Sequence, residues 1–187
     1  PGSRVGTSSL RRSAQLLRAR PDLRVVPLRG NANTRLRKLD EGECEATFLA
    51  LCGLRRLGFE AEAREILPAD AMLPAPGQGA LGVECRQGDD ALLALLAPLA
   101  CPVATACLAA ERGLLDALDG SCRTPVAALA EQAGDRISLR GLLFMPDGSR
   151  EWGVAREGAA ADAAALGREA GRELRAAGGA TYEALLR

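Results

Sequence analysis

Residues 4–36 read RVGTSSLRRSAQLLRARPDLRVVPLRGNANTRL. A short strand pattern over residues 4–9 runs into the small hydroxylated residues Thr7, Ser8 and Ser9. Leu10, Ala14 and Leu17 then recur at helical spacing, which predicts a helix over residues 10–20 with those three on one face. Pro21-Asp22 ends it. Residues 23–28 carry a second strand pattern, residues 30–33 form a turn with capping residues, and residues 34–40 predict a short helix. Further on, residues 46–51 predict another apolar strand and residues 54–67 a mostly helical stretch. The βαβαβα order predicts an α/β domain with a largely parallel sheet.

Residues 68–89 change character. Pro68, Pro74, Pro76, Gly77 and Gly79 predict an irregular connection followed by a short strand over residues 80–85, together a hinge between domains. A second domain begins near Leu99. Pro102 suits a first helical turn. Val103, Cys107, Ala110, Leu114 and Leu118 repeat at helical spacing, which places Cys107 in the core, and Asp119-Gly120 closes the helix. Strand patterns follow over residues 126–131, 136–144 and 151–156, with Pro146-Asp147-Gly148 as a turn. A last helix is predicted over residues 161–177, with Leu166, Ala170 and Leu174 on one face and Gly178-Gly179 as its stop. The αβββα order predicts a small α+β domain.

The 187 residues suffice for one large domain or two small ones, and the 48% hydrophobic fraction can build a core. Aromatic residues make up only 3%, which leaves little for base-stacking platforms. Net charge is zero but unevenly spread: residues 1–60 carry an excess of six positive charges and the remainder an equal negative excess. A basic half suggests an anionic partner, and Arg, which supplies every cation but Lys38, suits bidentate recognition of carboxylate or phosphate. Near-zero net charge and few aromatics argue against nucleic acid. There are six cysteines, no histidine and no CxxC pair, so the sequence favours a reduced, cytoplasmic protein over a disulfide scaffold or a zinc site. No apolar stretch is long enough to span a membrane and no signal peptide is visible. The start at Pro1, without Met, reads as a cut inside a longer frame.

Four constellations stand out. Gly6-Thr7-Ser8-Ser9-Leu10-Arg11-Arg12 opens a helix with hydroxyls and free N–H groups that can hold an anion. Its Arg pair opposes the helix dipole, so local stability would not select it; a plain cap with solvated arginines is the competing reading. Leu28 to Arg35 repeats the strand–turn–helix arrangement with Arg29 and Arg35 on either side, and in an open α/β sheet both turns line one crevice. Arg55-Arg56 either extends that site or forms a solvated helix face. Pro76-Gly77-Gln78-Gly79-Ala80 permits close backbone approach to a ligand but reads more readily as a hinge. In Asp119 to Pro125, Cys122 stands in a Gly/Ser/Pro loop beside Arg123, an attachment point or nucleophile on one reading and a bland loop cysteine on the other.

The stretches VGTSSLRR, LRGNANTRL, LDEGE, GLRRLG, LPAPGQGALGVECR, AERGLLDALDGSC and PDGS together resemble the porphobilinogen deaminase (hydroxymethylbilane synthase) family, in that family's order and over essentially the whole chain. The resemblance implies two lobes like periplasmic binding proteins flanking a cleft, with a smaller α+β domain as the third. On that basis residues 1–73 correspond to the second lobe, 74–97 to the hinge and a strand returning to a first lobe not contained here, and 98–187 to the third domain. It further implies a transferase of tetrapyrrole (heme and chlorophyll) biosynthesis that adds four porphobilinogen molecules, each losing ammonia, to a dipyrromethane cofactor joined to Cys122 by a thioether, and then releases hydroxymethylbilane. Thr7, Ser9, Arg11, Arg12, Arg29 and Gln78 match cofactor-binding positions. Arg11, Arg12, Arg29, Arg35, Arg56 and Arg112 match positions that bind the carboxylates of porphobilinogen and the growing polypyrrole. The family's catalytic aspartate matches nothing in this chain, so the chain alone is expected to be inactive and its full-length parent to be a monomer. The alternative is a non-catalytic anion-binding module that kept the cleft arginines.

Overall fold

The computed structural model describes residues 1–121 and 124–184. Its N-terminal part alternates β1 (Arg4–Gly6), α1 (Leu10–Ala19), β2 (Arg24–Val26), α2 (Ala32–Asp40), β3 (Ala46–Thr47) and α3 (Leu51–Leu57). The three strands pair in parallel in the order β2-β1-β3, as the βαβαβα pattern predicts. Gly6 is required at the centre of this small sheet: a Cβ there would lie 2.7 Å from Cys44 Sγ and 2.8 Å from a Leu28 methyl.

Several local expectations need correction. Residues 46–51 give only a two-residue strand, because Ala50 already stands at the N-cap of α3. The helix expected to reach Leu67 stops at Leu57. Gly58, at φ 76°, adopts the left-handed cap and lets Phe59 N–H bond back to the Leu54 carbonyl at 2.8 Å. The predicted face of α1 is buried only in part: Ala14 is fully buried and Leu17 half-buried. Leu10 is exposed, and the helix buries Arg11, Ser13, Ala14 and Gln15. Part of this buried face rests on a connecting segment. The Leu73 carbonyl accepts from Arg11 Nη1 (2.6 Å) and Gln15 Nε2 (3.0 Å), and Leu73 N–H donates to Gln15 Oε1 (2.8 Å).

The segment after α3 holds a short 3-10 turn and then runs irregularly. Residues 80–85 form no strand: among the described residues no neighbouring strand pairs with them, and Leu81 and Val83 face solvent. A strand pattern without a ladder partner leaves its backbone groups to water. A helix the pattern did not single out, α4 (Asp90–Leu96), follows, with Asp89 accepting from Leu92 N–H at 3.1 Å.

The C-terminal part comprises α5 (Pro102–Ala117), β4 (Val126–Ala133), β5 (Arg136–Phe144), β6 (Glu151–Ala159) and α6 (Ala163–Glu183), the αβββα order expected. The strands form an antiparallel sheet β4-β5-β6, and both helices pack on it around Leu114, Leu118, Ile137, Leu139, Leu143 and Leu174. Cys107 packs half-buried against this core, whereas Val103 is exposed. The expected stop at Gly178-Gly179 is a break rather than an end. Gly179 leaves helical geometry at φ 52°, ψ −141°, and helix resumes through Glu183.

The two parts touch along α1. Ala14 and Leu73 pack with Ala127 and Phe144. Gly148, in the β5–β6 turn, lies so close to α1 that a Cβ would sit 2.8 Å from the Ala14 carbonyl. Among the described residues no single helix is long and apolar enough to cross a membrane.

Candidate functional site

The N-terminus of α1 is shaped by its own hydroxyls. Ser9 caps the helix by accepting from Arg12 N–H, buried Thr7 accepts from Ser9 N–H at 3.2 Å, and Ser8 donates to the Leu28 carbonyl. No acidic residue stands in the first turn. Arg11 is 7% exposed, and burial, with Arg12 beside it, lowers its guanidinium pKa to about 10. Arg12 donates to the Phe48 carbonyl at 2.9 Å; burial, and then the proximity of Arg35, also lower its pKa. Arg35 comes from α2 and donates through Nε to the Gly30 carbonyl at 2.8 Å. The turn before α2 needs glycine at position 30, where φ is 127° and a Cβ would lie 2.7 Å from Thr34 Cβ. Asn31 then caps α2 by accepting from Thr34 N–H at 2.9 Å. Among the described residues none of Arg11, Arg12 and Arg35 forms a salt bridge with a carboxylate.

These groups line a cavity of about 680 Å³. Thr7, Ser8, Ser9 and the three arginines form one wall, Pro76 and Gln78 a second, and Ser121 and Thr124, from the loop after α5, a third. No Asp or Glu lines it among the described residues. An adjoining depression of about 570 Å³ shares Arg11, Arg12 and Gln78 and is otherwise largely apolar, with Phe48, Leu54, Ile66 and Met72 on its walls.

Of the residues singled out from sequence, Thr7, Ser9, Arg11, Arg12, Arg35 and Gln78 therefore meet in one place. Arg29, Arg56 and Arg112 are exposed and line neither cavity. Cys122, with Arg123, lies outside the described residues. The residues on either side of that pair are tied together: Ser121 N–H donates to Thr124 Oγ1 at 3.0 Å and Thr124 N–H to the Ser121 carbonyl at 2.9 Å.

Sequence reasoning missed Glu111. It is 7% exposed, and its carboxylate accepts from Gly77 N–H at 2.6 Å and Ala130 N–H at 2.8 Å. It thus fastens the turn bearing Gln78 to α5 and β4. Burial raises its pKa against the opposing effect of those two hydrogen bonds. The available signal was a carboxylate beside Ala110 and three residues before Leu114, on the apolar stripe of the helix. The exposed neighbour Arg112 drew attention instead.

Three cations and a helix N-terminus around a cavity without acidic groups can hold a ligand bearing several carboxylates or phosphates, through charge-assisted hydrogen bonds. A family model described as "Porphobilinogen deaminase, dipyromethane cofactor binding domain" matches residues 1–94, and one described as "Porphobilinogen deaminase, C-terminal domain" matches residues 105–176. A porphobilinogen deaminase of Nitrobacter hamburgensis is 52% identical over 181 residues, covering 97% of this chain and 57% of the relative. One of Sorangium cellulosum is 51% identical over 178 residues, covering 93% and 59%, and one of Roseiflexus castenholzii is 52% identical over 178 residues, covering 95% and 58%. The chain thus spans somewhat more than half the length of these curated relatives and belongs to the porphobilinogen deaminase family.

Proposed function

We propose that this chain contributes the cofactor- and substrate-holding part of a hydroxymethylbilane synthase, a cytoplasmic transferase that condenses four porphobilinogen molecules with loss of ammonia. Residues 1–73 act as the anion-binding lobe, 74–97 as the hinge region and 98–187 as the domain whose loop bears Cys122. The observation that carries this reading is the convergence of Arg11, Arg12 and Arg35, without carboxylate partners among the described residues, on a cavity whose far wall is Ser121 and Thr124, the neighbours of the Cys122-Arg123 pair.

The residues present fit a dipyrromethane. Each of its pyrrole rings carries acetate and propionate side chains, and buried Arg11, whose cation is disfavoured by burial, gains from such anions. When bound through the Cys122 sulfur, the group supplies the electron-rich terminal pyrrole to which substrate is joined. Arg11, Arg12 and Arg35 orient its carboxylates and those of incoming porphobilinogen by paired hydrogen bonds. Gln78, held on a turn fixed by Glu111, offers a neutral amide at the opening. Arg29, Arg56 and Arg112 are free to meet carboxylates that extend beyond the cavity. The wall formed by Thr7, Ser8, Ser9 and the three arginines binds and orients.

The test is the intact mass of the purified chain after exposure to porphobilinogen, beside a Cys122→Ser control. An added mass of two linked pyrroles, present only with Cys122, supports the reading. A bare chain that binds polycarboxylates through Arg11 and Arg12 points instead to an anion-binding module.

A further inference from the structure

The loop bearing Cys122 leaves the C-terminus of α5 at a point where the backbone departs from the ordinary pattern. Helices end most cheaply with glycine in the left-handed position after the C-cap. Here Leu118 is the C-cap and the left-handed residue is Asp119, at φ 49°, the only non-glycine with positive φ among the described residues. The hydrogen bonds are those of a Schellman motif: Asp119 N–H donates to the Asp116 carbonyl and Gly120 N–H to the Leu115 carbonyl, both at 3.0 Å. Aspartate costs more than glycine in this conformation, so its side chain must provide something glycine cannot.

That side chain reaches α6. Asp119 Oδ2 accepts from Arg175 Nη1, and the same nitrogen lies 3.4 Å from the Ala117 carbonyl. Arg175 is itself held through Nε by Glu183 Oε1 at 2.8 Å. The next free carbonyl of α5, that of Leu118, accepts from the hydroxyl of Tyr182, which is completely buried. The unpaired carbonyls at the end of α5 are therefore capped by two α6 side chains, one before the Gly179 break and one after it. The break is what makes this possible. It redirects the last helical turn so that Tyr182 and Glu183 return toward α5. Just beyond Asp119-Gly120 come the mutual Ser121–Thr124 hydrogen bonds that bracket positions 122 and 123.

We propose that the terminal turn of α6 is a brace for the start of the loop that follows α5, with Arg175 and Tyr182 as positioning residues that act through Asp119 and Leu118, and that the reactivity of Cys122 depends on it. The proposal rests on the reading of Cys122 as the attachment point, and its test separates the two. Asp119→Gly removes the side-chain anchor while relieving the left-handed backbone, so the fold is not put at risk. Asp119→Asn keeps an acceptor and tolerates the conformation. Tyr182→Phe keeps the buried ring and deletes the hydroxyl. In the full chain before any exposure to porphobilinogen, where Cys122 carries a free thiol, the rate at which iodoacetamide alkylates Cys122 is read by peptide mass against the exposed Cys52 of the same molecule.

Asp119→Gly and Tyr182→Phe should each change the Cys122-to-Cys52 ratio by roughly three- to tenfold, the range expected when one hydrogen bond fixing the loop is lost. Asp119→Asn should stay near the parent. Unchanged ratios in both of the first two variants overturn the brace, whatever their melting temperatures, since a merely structural role would move the melting temperature alone. A parent chain that never gains the two-pyrrole mass, but whose ratios shift as expected, keeps the brace and removes the attachment reading. A parent that gains the mass on exposure to porphobilinogen, with variants that gain it equally and whose unloaded chains alkylate like the unloaded parent, does the reverse.

Discussion

The two sheets of this molecule are built on opposite terms. In the N-terminal part the strands are three, three and two residues long, and the central helix α1 buries an arginine, a serine and a glutamine against backbone carbonyls. In the C-terminal part the strands are eight, nine and nine residues long, and the helices close on one another through glycine over an aliphatic core. The first part accepts buried charge and a thin core where the cavity is. The second concentrates apolar contact in its body and meets the cavity only at its edge, through Leu115, Ser121, Thr124 and Val126. A site for a polyanion needs cations held in fixed directions at low dielectric, and such cations oppose the packing that would stabilise their own surroundings. The stability that holds α1 in place is therefore supplied partly from outside, by β4 and β5 through Ala127 and Phe144.

The largest effect that tests this contrast is expected at the α5–α6 contact. A Cβ at Gly167 would lie 2.0 Å from the Ala110 carbonyl oxygen, a backbone atom that cannot swing aside. Gly167→Ala should separate the helices and cost about 3 kcal/mol or more, at the upper end for overpacking, read from the urea midpoint. A variant within about 0.5 kcal/mol of the parent, the range of an ordinary surface change, would mean that the C-terminal part is not the close-packed half.

A smaller effect is expected where the halves are joined. Glu111→Gln replaces one acceptor oxygen by a donor facing an N–H group, leaving either half-buried Gly77 or buried Ala130 without its acceptor. The expected cost is about 1–3 kcal/mol. The pH dependence gives an independent check. Burial raises the Glu111 pKa above its unfolded value. Between those two values the folded state binds more protons, so stability falls as pH rises from the ordinary carboxylate range upward, and below that range the penalty is absent. The Gln variant should lose this slope. If it keeps the slope, another group is responsible and the joint is not Glu111.

Much of this contrast was legible beforehand. The strand–turn–helix repeats of residues 4–36 gave the parallel sheet, because period and turn chemistry there are local. The strand pattern over residues 136–144 matches β5 in its bounds. What failed was whatever depended on a distant partner. Residues 80–85 have the composition of a strand but no ladder to join. The face of α1 was read only in part: Ala14 is buried and Leu17 half-buried as its spacing implies, but the burial of Arg11 and Gln15 depends on the Leu73 peptide group, some sixty residues away, a polar partner that leaves no apolar signal to detect. The site divides in the same way. Arg11 and Arg12 announced themselves by violating the helix-dipole preference, whereas Glu111 followed a core alanine and gave no such signal. Asp119 was read only as a helix stop, since neither its left-handed backbone nor its reach to Arg175 is visible without the fold.

The smallest expected effect on stability is the most informative about the cavity. Arg11→Met removes a buried cation that has no carboxylate partner among the described residues and replaces it with a side chain of similar length. The Leu73 carbonyl keeps its bond from Gln15 Nε2 at 3.0 Å, so it is not orphaned. The lost hydrogen bond and the relieved desolvation oppose each other, and the net change should lie within about 1 kcal/mol of zero. The pH behaviour follows from the lowered pKa of about 10. Below that pH both folded and unfolded chains carry the proton and the full cost of burying it is present. Above it the folded chain releases the proton first, and parental stability rises until the unfolded value is passed. The Met variant should show no such rise. Polycarboxylates should raise the melting temperature of the parent at neutral pH and do so much less for the variant, because they bind the folded form through the cation. A loss of more than about 2 kcal/mol on Arg11→Met, beyond what one hydrogen bond is worth, would show that the arginine is a strut of the N-terminal fold. The contrast between a half built to bind and a half built to support would then fail at the residue on which it most depends.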